Sequence, residues 1–245
     1  MAVSGSSEAT KQRLIEATVR LVAQHGVKGV SVRTITSEAG CKNLTAIHYH
    51  FGGKKQLVDA ATQWFTDYLA SVGEPGLAEI ERRMAAGEPV APRDVVQAWI
   101  LPAAALVATP NAGPLSMRFY ARILMEAADD KSGEIVHQLM PLFARLFNMF
   151  SYVIPDVPPH QFVPRIAILF NSLVYVMSDV QGISQARDAF GVEVNPLEAL
   201  HYFIEYHAAG IAAPPSPVSP GLAPAALACM GEWQNVLGSD GGKFS

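Results

Sequence analysis

Apolar side chains recur along the chain mainly every three to four residues, and no stretch sustains an alternation of apolar and polar residues. This is the period of an amphipathic helix, on which residues three and four apart share a face. Glycine, proline and N-cap residues divide the pattern into segments. We therefore expect an all-α fold, with helices over about 8–24, 32–38, 43–50, 54–72, 77–86, 93–108, 114–128, 133–153, 160–181 and 196–210.

Several breaks are expected within this pattern. The segment GEPG at 73–76 is typical of a turn, and the segment at 87–92 is typical of a loop. Pro102, Pro141 and Pro164 fall inside helical patterns, where a proline lacks its N–H and should kink or split the helix. Each of these long helices is therefore expected to be kinked or split.

Two short helices near the N-terminus carry matching apolar stripes. Ser31 is a typical N-cap for the helix at 32–38, and Gly40 follows its end. The stripes can pack against each other across a turn, and they consist of Val32, Ile35 and Ala39 on the first helix and Leu44, Ile47 and Phe51 on the second.

The opposite face of the second short helix is polar and carries no carboxylate. Thr45, His48 and Tyr49 lie on it, with Asn43 at its start. An α-helix fits the major groove of DNA, and these side chains can form hydrogen bonds with base edges. His48 and His50 are two residues apart and point to different sides of a helix, which argues against a metal pair.

Residues that suit phosphate contacts surround this face. Cations, neutral donors and the free amides of a helix N-terminus all bind phosphate. The candidates are Arg33, Thr34, Lys42, Tyr49, His50 and Lys54. Residues 1–55 hold eight lysines and arginines against three glutamates, which gives this part a net charge of +5. The whole chain has a net charge of −4, so the remaining residues carry −9. Such asymmetry fits a polyanion-binding surface, and it equally fits an ordinary solvated helix face.

The run from Lys11 to Leu57 resembles the DNA-binding domain of TetR-family regulators. The matching features are RLIEAT at 13–18, Gly26, SVRTI at 31–35, AG at 39–40, and YHF at 49–51 followed by Lys54. The resemblance implies a three-helix helix-turn-helix domain joined by helix 4 to a helical effector-binding and dimerisation bundle. It also implies that Thr45 and His48 touch bases, while Tyr49, His50 and Lys54 touch phosphates.

The chain departs from the family pattern at one place. Between Gly40 and Phe51 it is one residue longer than usual, and the extra residue lies within 41–43. The start of the recognition helix and the role of Asn43 are therefore open.

The later helices are expected to serve dimerisation or to fill a core. A dimer places two recognition helices about one DNA turn, roughly 34 Å, apart on a near-palindromic operator. Family precedent puts this interface in the last two large helices. The apolar residues expected there are Phe162, Ile166, Phe170, Leu173, Val174, Met177, Leu200, Phe203 and Ile204.

Methionine and aromatic residues in the middle helices are consistent with an adaptable apolar cavity, or with plain core. The candidate ligand-binding residues are Trp99, Phe119, Arg122, Met125, Phe143, Phe147, Asn171 and Tyr175. Arg118, Arg122, Arg145 or Asn171 could hold an acidic or thioester head group, with a surface position or salt bridge as the alternative. The segments YHFGGKKQL and SMRFYARIL and a late FGVEVNPLEAL resemble the branch that includes fatty-acid-responsive regulators, which implies an acyl or acyl-CoA effector.

These patterns predict three regions: a DNA-binding domain at 1–53, an effector and dimerisation domain at 54–210, and a Pro/Ala-rich tail at 211–245 with a weak helix over 223–237. No uninterrupted apolar stretch of about 20 residues and no secretory leader is visible, so we expect a cytoplasmic protein that does not bind membranes. Two cysteines form no disulfide framework or metal site, and no cofactor is expected. An enzyme is disfavoured because no catalytic motif is present, whereas a ligand-independent DNA-binding regulator or activator stays an alternative.

Overall fold

The computed structural model describes residues 3–41, 43–109, 113–127, 134–179, 185 and 188–217, and these residues include no β-strand. The fold is all-α, as the sequence predicts. The helices are α1 (Val3–His25), α2 (Val32–Glu38), α3 (Ala46–Phe51), α4 (Lys54–Ala85), α5 (Pro92–Val107), α6 (Gly113–Ala127), α7 (Glu134–Val153), α8 (Pro159–Ser178) and α9 (Pro196–Ala212).

Helix α4 is continuous, so the turn predicted at 73–76 is wrong. A Cβ atom on Gly73 would lie 3.2 Å from Cγ of Pro102, and one on Gly76 would lie 3.6 Å from Cβ of Ala98. The tight approach at Gly73 therefore favours glycine where α5 packs against α4, whereas the spacing at Gly76 is that of an ordinary van der Waals contact. Thirty-two residues in one helix span about 48 Å at 1.5 Å per residue.

The prolines within the later helices do not split them. Pro102, Pro141 and Pro164 lie inside α5, α7 and α8, each of which is one continuous helix. A proline interrupts a single backbone hydrogen bond, and the packing of the flanking turns maintains the helix on both sides. The prediction is thus wrong as to splitting, and the kink stays a prediction.

Two apolar cores lie within the described residues. One is formed by α1, α2, α3 and the start of α4, and it also receives Phe119 and Ile123 from α6. The other lies among α4 to α9. Helix α6 therefore contributes to both cores. The two helix pairs α1/α6 and α4/α5 are among those with the most extensive contact.

Most residues expected at a dimer surface fill the second core instead. Those buried within this single chain are Phe162, Ile166, Leu173, Val174, Met177 and Ile204, while Phe170, Leu200 and Phe203 are partly buried against them. Helix α8 is long and apolar enough to cross a membrane. A helix that buries one face in a core passes the same test.

Arginines cap the ends of the last two helices. Nε of Arg118 donates to the carbonyl of Ser178, 3.3 Å away, at the end of α8. Nη1 of Arg165 donates to the carbonyls of Ile211, at 2.9 Å, and of Ala213 at the end of α9. The described residues up to Ala213 form one compact unit. Residues 214–217 are not helical, and the helix predicted over 223–237 lies outside the described residues.

Candidate nucleic-acid interface and cavity

The predicted N-cap of α2 is present. Oγ of Ser31 accepts the N–H of Thr34 at 3.1 Å, which satisfies one of the free amides at the helix start. The side chains of Arg33 and Thr34 are exposed on this helix. Glu38 is the one carboxylate between residues 31 and 51, and it pairs with Arg20 of α1 at 3.3 Å. The carboxylate of Glu38 is therefore paired with a cation of the same chain.

Helix α3 begins at Ala46, three residues later than predicted, because an Asx turn precedes it. Oδ1 of Asn43 accepts the backbone N–H of Thr45 at 2.9 Å and its hydroxyl at 2.7 Å. Asn43 therefore lies before the helix and holds Thr45 at its N-cap position. Leu44 also precedes the helix and is 54% exposed, so its predicted place in the packed stripe is wrong. Lys42 lies outside the described residues.

Ile47 anchors α3 and leaves a polar face outward. Its side chain is fully buried in the first core, whereas Tyr49 is 82% exposed and Thr45 and His48 are also exposed. Nδ1 of His48 lies 3.2 Å from the carbonyl oxygen of Gly52. An Nδ1–H tautomer donates this bond and leaves Nε2 as an outward acceptor. The ring of the half-buried His50 meets Tyr49 edge-on, with centroids 4.9 Å apart.

Lys54 is half-buried at the start of α4. Its Nζ donates to the carbonyl of Val27 at 2.7 Å, which ties α4 to the loop after α1. An ammonium group has three donors, so this bond leaves two for another acceptor.

Glu126 at the end of α6 holds the same loop from the other side. Its Oε1 accepts the N–H of Val27 at 2.8 Å. The neighbouring Gly26 has φ +72°, and a Cβ there would lie 2.8 Å from the same oxygen. Only glycine fits both the left-handed backbone and the space. Periodicity and motifs do not indicate this contact, because its partners are 99 positions apart.

A mostly apolar cavity of about 320 Å³ lies within the second core. Helices α4 to α8 line it. Its wall includes Leu69, Gly73 and Leu77 of α4, Trp99, Pro102 and Ala103 of α5, Met117 and Tyr120 of α6, Leu142 and Arg145 of α7, and Phe170 and Leu173 of α8. Its size falls at the lower end of small-molecule pockets, which span about 300–1,000 Å³.

The eight ligand-binding candidates do not come together. Trp99 lines the cavity, and Phe143 packs against Phe170 with ring centroids 5.2 Å apart. Phe119 does not line it, because its side chain is fully buried in the first core.

The remaining five candidates lie elsewhere. Phe147 packs against Phe162, with ring centroids 5.1 Å apart. Met125 and Tyr175 are 71% and 72% exposed, and Arg122 and Asn171 are exposed as well. These side chains are outside the cavity wall.

Arg145 is the one arginine among the described residues of the cavity wall, and two carboxylates already hold it. Its guanidinium contacts Glu74 at 2.7 Å and Glu81 at 2.8 Å. The hydrogen bond from Arg145 lowers the pKa of Glu74, and the two carboxylates raise the pKa of Arg145. The salt-bridge alternative therefore holds for this residue, and its charge is compensated within the chain.

Two family models match the chain. A model described as bacterial regulatory proteins, tetR family, matches residues 14–61, and one described as tetracyclin repressor-like, C-terminal domain, matches 97–210. The first covers most of the first core and the exposed face of α3. The second begins beside Trp99 and covers α6 to α8.

Three curated bacterial relatives are similar over shorter segments. Identity to the HTH-type transcriptional dual regulator CecR of Shigella flexneri is 33% over 88 residues, 36% of this chain and 39% of that protein. The HTH-type transcriptional repressor AcnR of Corynebacterium efficiens is 36% identical over 76 residues, 31% of this chain and 40% of that protein. The HTH-type nicotine-responsive transcriptional repressor HdnoR of Paenarthrobacter nicotinovorans is 43% identical over 51 residues, 21% of this chain and 26% of that protein. The chain thus spans less than half the length of each.

The fold is similar to that of a solved regulator. The crystal structure of Mycobacterium smegmatis AmtR matches with a TM-score of 0.51 and 18% identity, over 90% of this chain and 94% of that chain. At this identity the match concerns the fold.

Proposed function

Because the chain belongs to the TetR family of bacterial regulators, we propose that it is a cytoplasmic, dimeric repressor of transcription that an apolar small molecule releases from a near-palindromic operator. The observation that carries this proposal is the exposed polar face of α3, which Ile47 anchors to the first core. The relatives named as HTH-type repressors support it.

The proposed DNA contacts divide by chemistry. Thr45 and His48 face the base edges, where hydroxyl and imidazole groups form hydrogen bonds. Arg33, Thr34 and Lys54 face the phosphates on either side, together with the Tyr49 hydroxyl. Lys42, Asn43 and His50 complete the set, with Asn43 acting through the turn that holds Thr45.

Exposed apolar stripes on α8 and α9 support dimerisation. Ile168 and Tyr175 lie seven residues apart on α8, and Tyr202 and Tyr206 lie four apart on α9. Residues at these spacings share one helix face. We propose that these stripes, rather than the buried residues expected from the sequence, form the dimer surface.

The contacts of helix α6 support a coupling between ligand binding in the cavity and the position of the DNA-binding face. Met117 and Tyr120 line the cavity, whereas Phe119 and Ile123 pack into the first core. Glu126 then holds the loop that Lys54 also holds. A ligand that shifts α6 would change the setting of α3, and a tenfold change in DNA affinity needs only about 1.4 kcal/mol of coupling.

Loss of the Lys54 charge is expected to weaken binding to every duplex. Each phosphate contact contributes about −0.9 to the slope of log K against log salt. A dimer of the Lys54→Gln variant should therefore have a slope shallower by about 2, and Lys54→Arg should keep most of it. Fluorescence anisotropy with a labelled duplex at several salt concentrations measures this. Equal slopes for wild type and Lys54→Gln, or no DNA binding by wild type, would contradict the proposal.

Loss of the Glu126 carboxylate is expected to loosen the loop after α1. Glu126→Ala leaves the N–H of Val27 without its acceptor, which costs about 1–3 kcal/mol. Glu126→Gln keeps an amide oxygen that can accept the same bond, and it serves as the control. Hydrogen exchange at residues 26–30 should rise in the alanine variant and change little in the glutamine variant. Identical hydrogen exchange in the two variants would show that the Glu126 carboxylate does not hold this loop, and would contradict its part in the coupling.

The alternative is a regulator that acts without a ligand or as an activator. The similarity to CecR, which is named a dual regulator, favours keeping this alternative. Melting temperatures with and without a series of apolar small molecules test the need for a ligand, because only a protein that binds a compound is stabilised by it. Transcription of a reporter gene behind the preferred duplex distinguishes repression from activation.

A further inference from the structure

The cavity among α4 to α8 is open to solvent on one side. Its mouth is formed by the exposed residues of the wall, which are Gln63, Asp67 and Ala70 of α4 and Pro141 of α7. The inner wall is buried and apolar, as at Leu77, Met117 and Leu173. A ligand can therefore place an apolar body inside and leave a polar group at the mouth.

Three carboxylates follow one face of α4 beside this mouth. Asp67, Glu74 and Glu81 are seven residues apart, which is about two helical turns, so they lie on the same side of the helix. All three are exposed. Asp67 belongs to the cavity wall itself, and the other two bind Arg145, which also lies on the wall.

One cation opposes these three carboxylates. Arg145 is the one lysine or arginine among the described residues of the wall, and it forms ion pairs with Glu74 and Glu81. Asp67 forms no salt bridge with a described residue, and its Oδ1 accepts a hydrogen bond from the neutral amide of Gln63 at 2.7 Å. Three negative charges against one positive charge leave a net charge of −2 beside the mouth.

This charge decides the sign of the head group that the mouth favours. A carboxylate or phosphate would meet like charge there, which disfavours the acyl or acyl-CoA effector that the sequence resemblance implies. An ammonium group would meet opposite charge. An ionised carboxylate has about four acceptor sites, and the Gln63 amide uses one of those on Asp67. The remaining sites can accept the N–H groups of a cation in charge-assisted hydrogen bonds.

We propose that the effector is an amphiphilic cation, with an apolar body inside the cavity and an ammonium group beside Asp67 at the mouth. This inference rests on the proposed function only in taking the cavity as the effector site. Because the mouth is open, the length of the ligand is not limited by the cavity, and the head group carries the selectivity.

Three probes with one apolar body and different charges test the head group. They are the cation 2-(1-naphthyl)ethylammonium, the neutral 2-(1-naphthyl)ethanol and the anion 1-naphthaleneacetate. Calorimetry on the full wild-type chain measures their affinities. The cation should bind about fivefold more tightly than the alcohol, the upper range for one exposed ion pair, and the anion should bind most weakly. Equal affinities, tightest binding of the anion, or binding of none of the three would overturn the proposal.

Substitutions of Asp67 test whether this carboxylate sets the preference. Asp67→Asn keeps the shape of the side chain and should remove most of the advantage of the cation over the alcohol. Asp67→Lys should reverse the order of cation and anion. Asp59 lies on the same helix outside the cavity wall, so Asp59→Asn and Asp59→Lys change the net charge equally and should keep the wild-type order. An unchanged order in Asp67→Lys, or equal effects at the two positions, would overturn the proposal.

Salt dependence gives a second readout on the wild-type protein. Raising the salt concentration from about 0.05 to about 0.5 M screens exposed charges more strongly. The cation should therefore lose affinity relative to the alcohol as salt rises. A ratio of the two affinities that does not change with salt would contradict an ion pair at the mouth.

Failure of the ligand class is distinguishable from failure of the proposed function. The three probes report on the cavity alone. Duplex binding by the ligand-free wild-type protein reports on the regulator function separately, because the α3 surface contains no residue of the cavity wall. A protein that binds a duplex but prefers the anion keeps the proposed function and loses the cationic effector.

Discussion

Phe119→Ala should lower the free energy of unfolding by about 4 kcal/mol, the range found when a buried phenylalanine is truncated. The side chain is fully buried, and it reaches from α6, which packs on α1, into the first core. Its removal leaves a cavity at the place where α6 joins the first core. Denaturant unfolding at fixed protein concentration measures the loss, since a dimer's stability depends on concentration.

Met125→Ala is the matched control for this change. Met125 lies on the same helix and is 71% exposed, so its truncation should cost less than about 1 kcal/mol. If Phe119→Ala and Met125→Ala unfold at the same denaturant concentration, α6 does not contribute to the first core.

His48→Ala should reduce affinity for the preferred duplex by about a hundredfold. A base contact contributes about 1–3 kcal/mol of discrimination, and a symmetric dimer makes each contact twice. Thr45→Ala should act similarly at a neighbouring base pair. Tyr49→Ala, which removes a phosphate contact, should weaken binding to all duplexes alike. Anisotropy titrations against the preferred duplex and its single-base variants measure these differences.

Exposed residues on other helices supply the controls. His160 and Tyr152 are exposed near the junction of α7 and α8, and their alanine variants should bind DNA like wild type. His48 and Tyr49 are also exposed, so the melting temperatures of their alanine variants should stay nearly unchanged. If His48→Ala and His160→Ala bind the duplex equally, α3 does not read bases.

The sequence predicts the first core well because its signals are local. Ser31 caps α2 through a hydrogen bond to a residue three positions later, and such a cap is visible in the sequence. Ile47 occupies the apolar position of a short amphipathic helix and is buried as expected. The polar face opposite follows from the same periodicity.

Errors arise where tertiary contacts override local preference. Gly73 and Pro75 are typical turn residues, but the close approach of Pro102 makes a glycine favourable within α4. Asn43 pairs with Thr45 before the helix, so α3 starts later than the periodicity predicts. Neither outcome follows from periodicity.

The cavity could be anticipated as a class of site but not by its residues. Methionine and aromatic content indicates apolar surface, yet it does not say which helix face turns inward. Met125 and Tyr175 face outward, whereas Met117 and Tyr120 line the cavity. The compensation of Arg145 depends on α4 being one helix, because Glu74 lies in the segment predicted to be a turn.

The most direct test selects duplexes from a random pool and then applies methylation interference to the selected sequences. It asks whether the α3 faces of two protomers read two symmetric half-sites. We expect a near-palindrome whose half-site centres lie about 10 base pairs apart. Methylation of guanine N7, which lies in the major groove, should block binding in both halves. A pool without enrichment, or interference only from adenine N3 in the minor groove, would contradict this reading of DNA by α3.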